Sequence, residues 1–168
     1  MLPLSFLIMK KYIILFIFLI SSCASYSQVL LPADKFVLDS IRSANKGNVI
    51  LFNFWATWCK PCTEEFPDLV KLNKTFKDKN FKLIFVSLDF GDELGDKTKA
   101  FLKKQGVDFV TYFNNFSKDE ELINYMSKDW DGSIPGTFIF DQNNKLRKTF
   151  IGKHKYMEFK EVITEYLK

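Results

Sequence analysis

The 168-residue chain suits one domain and hardly two, and its 47% hydrophobic and 26% charged residues read as globular rather than disordered. Its 24 Lys and Arg are interspersed with 20 Asp and Glu, for a net charge of +4. With no long basic run, nothing in the charge pattern calls for nucleic acid.

The N-terminus reads as an export signal. Lys10 and Lys11 precede an apolar run, Tyr12 to Ile20, followed by the small residues Ser21-Ser22-Cys23-Ala24-Ser25. A charged start, a short apolar stretch and a small-residue zone make a secretory leader, too short for a membrane-spanning helix of about 20 apolar residues. Met9 is a more natural start than Met1. Ile20-Ser21-Ser22-Cys23 resembles a bacterial lipobox, which makes Cys23 a candidate lipidation site. The alternative is cleavage after Ala24 or Ser27, with Cys23 lost. Either way, residues 1–27 form the leader and the start of a tether, residues 26–33 look like a short tether, and 28–168 form one domain. About 140 residues remain for it, enough for a real core, and the 19 Phe residues read as core material.

Asp34 caps a predicted helix with Val37, Ile41 and Ala44 at helical spacing, closed by Gly47. Val49 to Trp55 is an apolar run broken only by Asn53, as expected for a strand buried on both faces. A helix follows from Cys59 to about Lys77, with Phe66, Leu69, Leu72 or Asn73, and Phe76 as its stripe. Phe81 to Leu88 is a second buried strand, and Asp89 to Asp96 a loop. Lys97 to Gln105 is a short helix with Ala100, Phe101 and Leu102 inward, ended by Gly106. Phe109 to Phe113 is a third strand and Asp119 to about Lys128 another helix. Thr137 to Phe140 and Lys145 to Ile151 read as a hairpin across Gln142-Asn143-Asn144. Tyr156, Phe159, Ile163 and Tyr166 or Leu167 mark a last helix. Alternating helices and strands followed by a hairpin predict an α/β fold: a three-layer sandwich with a central mixed sheet and helices on both faces.

Trp58-Cys59-Lys60-Pro61-Cys62 follows a buried strand and opens a helix. Two cysteines three apart at a helix start can close a small disulfide ring. The first sits where unpaired N–H groups and the helix dipole favour a thiolate, the attacking species in thiol–disulfide exchange. The second, one turn in, is better shielded and can resolve a mixed disulfide by attacking Cys59. Half of a zinc site has the same spacing, but the other ligands would have to be His154 and a carboxylate. A purely structural bridge would close almost no loop and constrain little of the unfolded chain.

Phe54-Trp55-Ala56-Thr57-Trp58-Cys59-Lys60-Pro61-Cys62 resembles the active-site segment of the thioredoxin superfamily. Pro67 lies where such helices carry a kinking proline. Ile134-Pro135 before Gly136-Thr137-Phe138-Ile139-Phe140-Asp141 looks like the cis-proline loop, and Gly152 like the glycine after the last strand. The match in spacing and order covers roughly residues 34–168. Within the superfamily, the TlpA/ResA-like exported thiol–disulfide oxidoreductases are most similar. Asn53, Glu65, Pro67 and the long stretch from Val86-Ser87-Leu88-Asp89 to Pro135 fit that branch. The N-terminal hairpin usual there is not visible.

The resemblance implies a thioredoxin-like fold and a reductase of protein disulfides in the bacterial envelope. The domain would be periplasmic or a membrane-anchored lipoprotein, and cytochrome c maturation is the implied setting. Partners would be protein thiols and disulfides and a membrane thiol electron donor, with no cofactor beyond the Cys59–Cys62 couple and no metal. It implies a cis Pro135 against the disulfide, with the Ile134 backbone pairing to an extended substrate. Trp58 would cover the disulfide and offer an apolar contact, Lys60 and Pro61 count with it as substrate-binding residues, and the Lys60 charge could stabilise the Cys59 thiolate unless it is a plain solvated lysine. Plain thioredoxins carry a buried Asp where this chain has Asn53, and an amide cannot act as a base at neutral pH. Glu65, three residues after Cys62, is the nominee for that proton, with Glu64 as the alternative. Two other functions compete. A thiol peroxidase would place Thr or Ser three residues before the reactive Cys, where Ala56 stands. A redox-inactive binding domain would keep the cysteines only as an incidental bridge.

Overall fold

The computed structural model describes residues 28–167; the leader, with Cys23, lies outside them. Six strands form one sheet in the order β1-β4-β3-β2-β5-β6. The strands are β1 (Leu30–Ala33), β2 (Val49–Trp55), β3 (Phe81–Ser87), β4 (Thr111–Asn114), β5 (Gly136–Phe140) and β6 (Leu146–Ile151). The helices are α1 (Lys35–Ala44), α2 (Lys60–Thr75), α3 (Asp96–Lys104), α4 (Asp119–Met126) and α5 (Tyr156–Tyr166), with a 3₁₀ turn at Gly91–Glu93. β1 to β4 pair in parallel, and β5 runs antiparallel to both β2 and β6.

Period-2 alternation splits the core cleanly. Val49, Leu51, Trp55, Leu83 and Phe85 pack on one face with residues of α2, α3 and α5. Ile50, Phe52, Phe54, Ile84 and Val86 pack on the other with α1 and α4. This is the three-layer arrangement the element order predicts. One aromatic cluster lies between α2, α3 and the sheet. Phe66 stacks on Phe85 at 4.1 Å between ring centroids and meets Trp55 at 4.7 Å and Phe101 at 5.0 Å, edge to face.

Three expectations need correction. The supposed tether at 26–33 contains a strand: Leu30–Ala33 pairs in parallel with Thr111–Asn114. In α1 the buried stripe is Leu38 and Ile41, with Val37 partly covered and Ala44 exposed. In α3 the inward residues are Thr98, Phe101 and Leu102, and Ala100 is exposed. Alanine is small enough to stand on either face, so it marks a stripe poorly.

The sheet topology collects the connections. Antiparallel pairing sets Gly136 opposite Phe54 and Ile151 opposite Gly136. The end of β2, the start of β5 and the end of β6 therefore share one end of the sheet. The parallel strands β1, β3 and β4 finish there too, so the start of α2 lies at the end of the sheet where these connections gather.

Candidate active site

Cys59 is the N-cap of α2, in extended backbone conformation, and its Sγ accepts the N–H of Cys62 at 3.3 Å. An unpaired helix N–H aimed at sulfur is the feature that favours a thiolate once the bridge opens. Pro61 lies in the first turn, where a missing N–H leaves nothing unsatisfied. Cys59 and Cys62 form a disulfide with Cα atoms 5.3 Å apart. Cys59 is 6% exposed and Cys62 2%, so the first sulfur is the more accessible. Trp58, Lys60 and Pro61 stand exposed around it.

The Ile134–Pro135 peptide is cis. It brings the Ile134 carbonyl oxygen to 3.7 Å from Cys59 Sγ, and the Pro135 carbonyl accepts the N–H of Gly152 at 2.9 Å. Trp130, to which no sequence signal pointed, braces this loop. Its indole N–H donates to the Ser133 carbonyl at 2.9 Å, and its ring lies so close to Gly136 that a Cβ there would sit 3.2 Å from it.

Beneath the disulfide lies a buried carboxyl. Glu65 is 2% exposed, one helical turn from Cys62. Its Oε1 accepts from Asn53 Nδ2 at 3.2 Å and its Oε2 from the His154 backbone N–H at 2.7 Å. Asn53 Nδ2 also donates to Thr137 Oγ1 at 2.9 Å, which leaves buried Asn53 Oδ1 without a partner. Burial pushes the Glu65 carboxyl from its ordinary 4.5 up to about 7, against the pull of the His154 and Asn53 donors. Glu64, the alternative, is exposed and paired with Lys153 Nζ at 2.6 Å. Lys153 and its hydrogen bond hold the Glu64 carboxyl below the ordinary range.

A second buried acid fixes the loop ahead of Cys59. Asp89 Oδ1 accepts from both the N–H and the hydroxyl of Thr57, and Oδ2 from the Ser87 and Thr98 hydroxyls, all at 2.8 Å. This carboxylate ties the active-site loop to the end of β3 and to α3. Asp89→Ala removes all four acceptor contacts, and the Thr57 N–H cannot rotate to another partner. The expected loss is about 2–3 kcal/mol in urea unfolding, with a smaller loss for Asp89→Asn, which keeps one acceptor.

Among the described residues, no three His, Cys, Asp or Glu side chains cluster as a metal site. His154, the histidine that a zinc site would need, places Nδ1 2.7 Å from Glu158 Oε1.

The AhpC/TSA family profile matches residues 32–149, most of the described chain. The chain belongs to the AhpC/TSA family. Within it, thiol-disulfide oxidoreductase ResA of Bacillus anthracis is 32% identical over 123 residues, covering 73% of this chain and 64% of the relative. ResA of Bacillus subtilis is 29% identical over 138 residues, covering 74% and 72%. The chain thus spans somewhat under two thirds of the length of the first of these. Among solved structures, a thiol:disulfide interchange protein of the thioredoxin family from Chlorobium tepidum superposes with a TM-score of 0.63 at 25% identity, covering 76% of this chain and 85% of that one. StoA from Bacillus subtilis shares the fold, with a TM-score of 0.55 and 24% identity over 69% and 82% of the two chains. The AhpC/TSA assignment fits the thioredoxin-like architecture, and the cysteines, cis-proline loop and buried glutamate all fall within or against the matched segment.

Proposed function

We propose that this AhpC/TSA-family chain is a thiol–disulfide oxidoreductase that reduces protein disulfides in the bacterial cell envelope. The observation that carries the reading is the Cys59–Cys62 disulfide at the start of α2, with the Ile134 carbonyl beside Cys59 and a buried Glu65 one turn below Cys62.

In the reduced protein, the Cys59 thiolate attacks one sulfur of a substrate disulfide. A Cys59–substrate bond forms, and the other substrate sulfur leaves and takes up a proton. Cys62 then loses its proton, with Glu65, buried one helical turn along, as the assigned acceptor, and attacks Cys59 Sγ. The second substrate thiolate departs, and the protein is left as the disulfide seen here. Two electrons pass from the cysteine pair to the substrate, with no cofactor in the cycle. Ile134 and cis Pro135 hold the incoming segment, Trp58 offers it an apolar face, and Lys60 and Pro61 shape the turn. A membrane thiol carrier would return the protein to its reduced form.

The peroxidase alternative finds no support at the residue it needs. Ala56 offers no hydroxyl, and that of Thr57 is engaged by Asp89.

Equilibration of the purified domain in thiol redox buffers tests the reading. A reversible two-electron couple at or below about −230 mV supports a reductase, a value near about −120 mV points to an oxidant, and no couple leaves only a binding domain. Anchoring through Cys23 is a separate claim: fatty-acid labelling of the expressed chain should disappear in Cys23→Ser.

A further inference from the structure

One wall of the disulfide end of the sheet is a groove of about 540 Å³, bounded by Trp58, Phe90, Leu122, Ile123 and Ile134. Trp58 is 52% exposed and Phe90 70%, so two large aromatic side chains face solvent beside the disulfide. Folding gains nothing from that exposure, and apolar surface of this kind next to a reactive centre marks a contact site. Ile134 links groove to sulfur, since its carbonyl is the one beside Cys59.

The groove's charge is one-sided. Asp119 and Asp131 line it, and no Lys or Arg does, although the chain as a whole carries an excess of cations. Neither aspartate forms an ion pair among the described residues. Each makes one weak or local contact: Asp119 accepts from Asn114 Nδ2 at 3.4 Å, and Asp131 from the Ser133 N–H at 2.9 Å. That N–H holds the Asp131 carboxyl below the ordinary range, so its charge persists in mild acid. Asp89 also lines the groove, but both its oxygens are already taken by hydrogen bonds from Thr57, Ser87 and Thr98, so it is not free to receive a cation directly.

A segment that presents its sulfur to Cys59 and passes Ile134 runs its neighbouring residues into this groove. The geometry points to a specificity site for the chain flanking the target cysteine: it selects an extended protein segment with an apolar residue against Trp58 and Phe90 and a Lys or Arg toward Asp119 and Asp131. This rests on the proposed disulfide chemistry and adds the substrate class to it.

Short peptides with serine in place of the target cysteine, flanked by Leu-Lys, Leu-Gln or Leu-Glu, separate the two claims, because they bind without reacting. Calorimetry at low salt should show Leu-Lys binding about three- to fivefold tighter than Leu-Gln, and Leu-Glu weaker still, as expected for half-exposed charge pairs. The preference should vanish in Asp119→Asn/Asp131→Asn. It should survive in Asp78→Asn/Asp108→Asn, an equal charge change at two exposed positions at the other end of the sheet. Equal affinities, undetectable binding of the Leu-Lys peptide, or a preference untouched by the double variant would overturn the groove assignment. Disulfide-bearing versions of the same peptides then test the chemistry. Charge-selective binding without turnover removes the oxidoreductase reading and leaves the groove. Turnover at equal rates removes the groove and leaves the oxidoreductase.

Discussion

Cys62→Ser is expected to abolish turnover and accumulate a covalent adduct with substrate, whereas Cys59→Ser abolishes turnover and leaves no adduct. The asymmetry follows from the helix start. Cys59 Sγ is the sulfur that receives the Cys62 N–H, lies beside the Ile134 carbonyl and is the more exposed of the pair. It can attack alone. In the Cys62→Ser variant nothing resolves the bond it forms, because a serine hydroxyl does not displace a thiolate from sulfur under these conditions. Non-reducing electrophoresis with a disulfide-bearing substrate checks both halves. Adducts in Cys59→Ser but not in Cys62→Ser would reverse the roles of the two cysteines.

The second large effect is a stability that falls as pH rises toward neutrality. Glu65 takes up its proton at about 7 in the fold and at 4.5 as an ordinary glutamate. Between those values the native state holds a proton that the unfolded chain has released. Raising the pH across that window therefore favours unfolding. The contribution is fully present below about 4.5 and lost as the pH passes 7, a change of about 3 kcal/mol for a shift of this size. Glu65→Gln carries no charge to desolvate, so its stability should lack this component. The difference between wild type and Glu65→Gln in urea unfolding, followed from pH 4.5 to about 8, isolates it from every other group. A difference that does not change with pH would remove Glu65 as a buried, titrating proton acceptor for Cys62.

Much of the architecture could be read from the chain because its signals are local. Val49 to Trp55 is too apolar to be anything but a buried strand, and the cysteines follow it at the first turn of a helix. The hairpin and the Ile134-Pro135 loop carry their own turn chemistry. β1 was hidden for a physical reason. Leu30-Leu31-Pro32-Ala33 is short and contains a proline, which removes a ladder donor and is tolerated only at a sheet edge, where β1 lies.

The site was legible only in part. Glu65 could be nominated from its offset to Cys62, but its burial could not. A glutamate on a charged helix reads as solvated, and the partners that bury it come from Asn53, 12 residues away, and His154, 89 away. Asn53 was noted for what it cannot do, yet its amide is what holds the glutamate in place. Asp89 opened what looked like a polar loop. Only the fold shows that Thr57, Ser87 and Thr98 all aim donors at it. Trp130 sits in a polar stretch whose composition gives no hint of the brace it supplies.

The direction of β1 sets how this domain would stand on a surface. Because it runs parallel to β4, β3 and β2, its first residue lies at the foot of the sheet while the cysteines crown the other end. A seven-residue strand such as β2 separates the two ends by roughly 23 Å. A mooring upstream of residue 28, lipid or otherwise, would hold the molecule by its base and turn the disulfide and its acidic groove outward. Partners would then be met from the side away from that mooring.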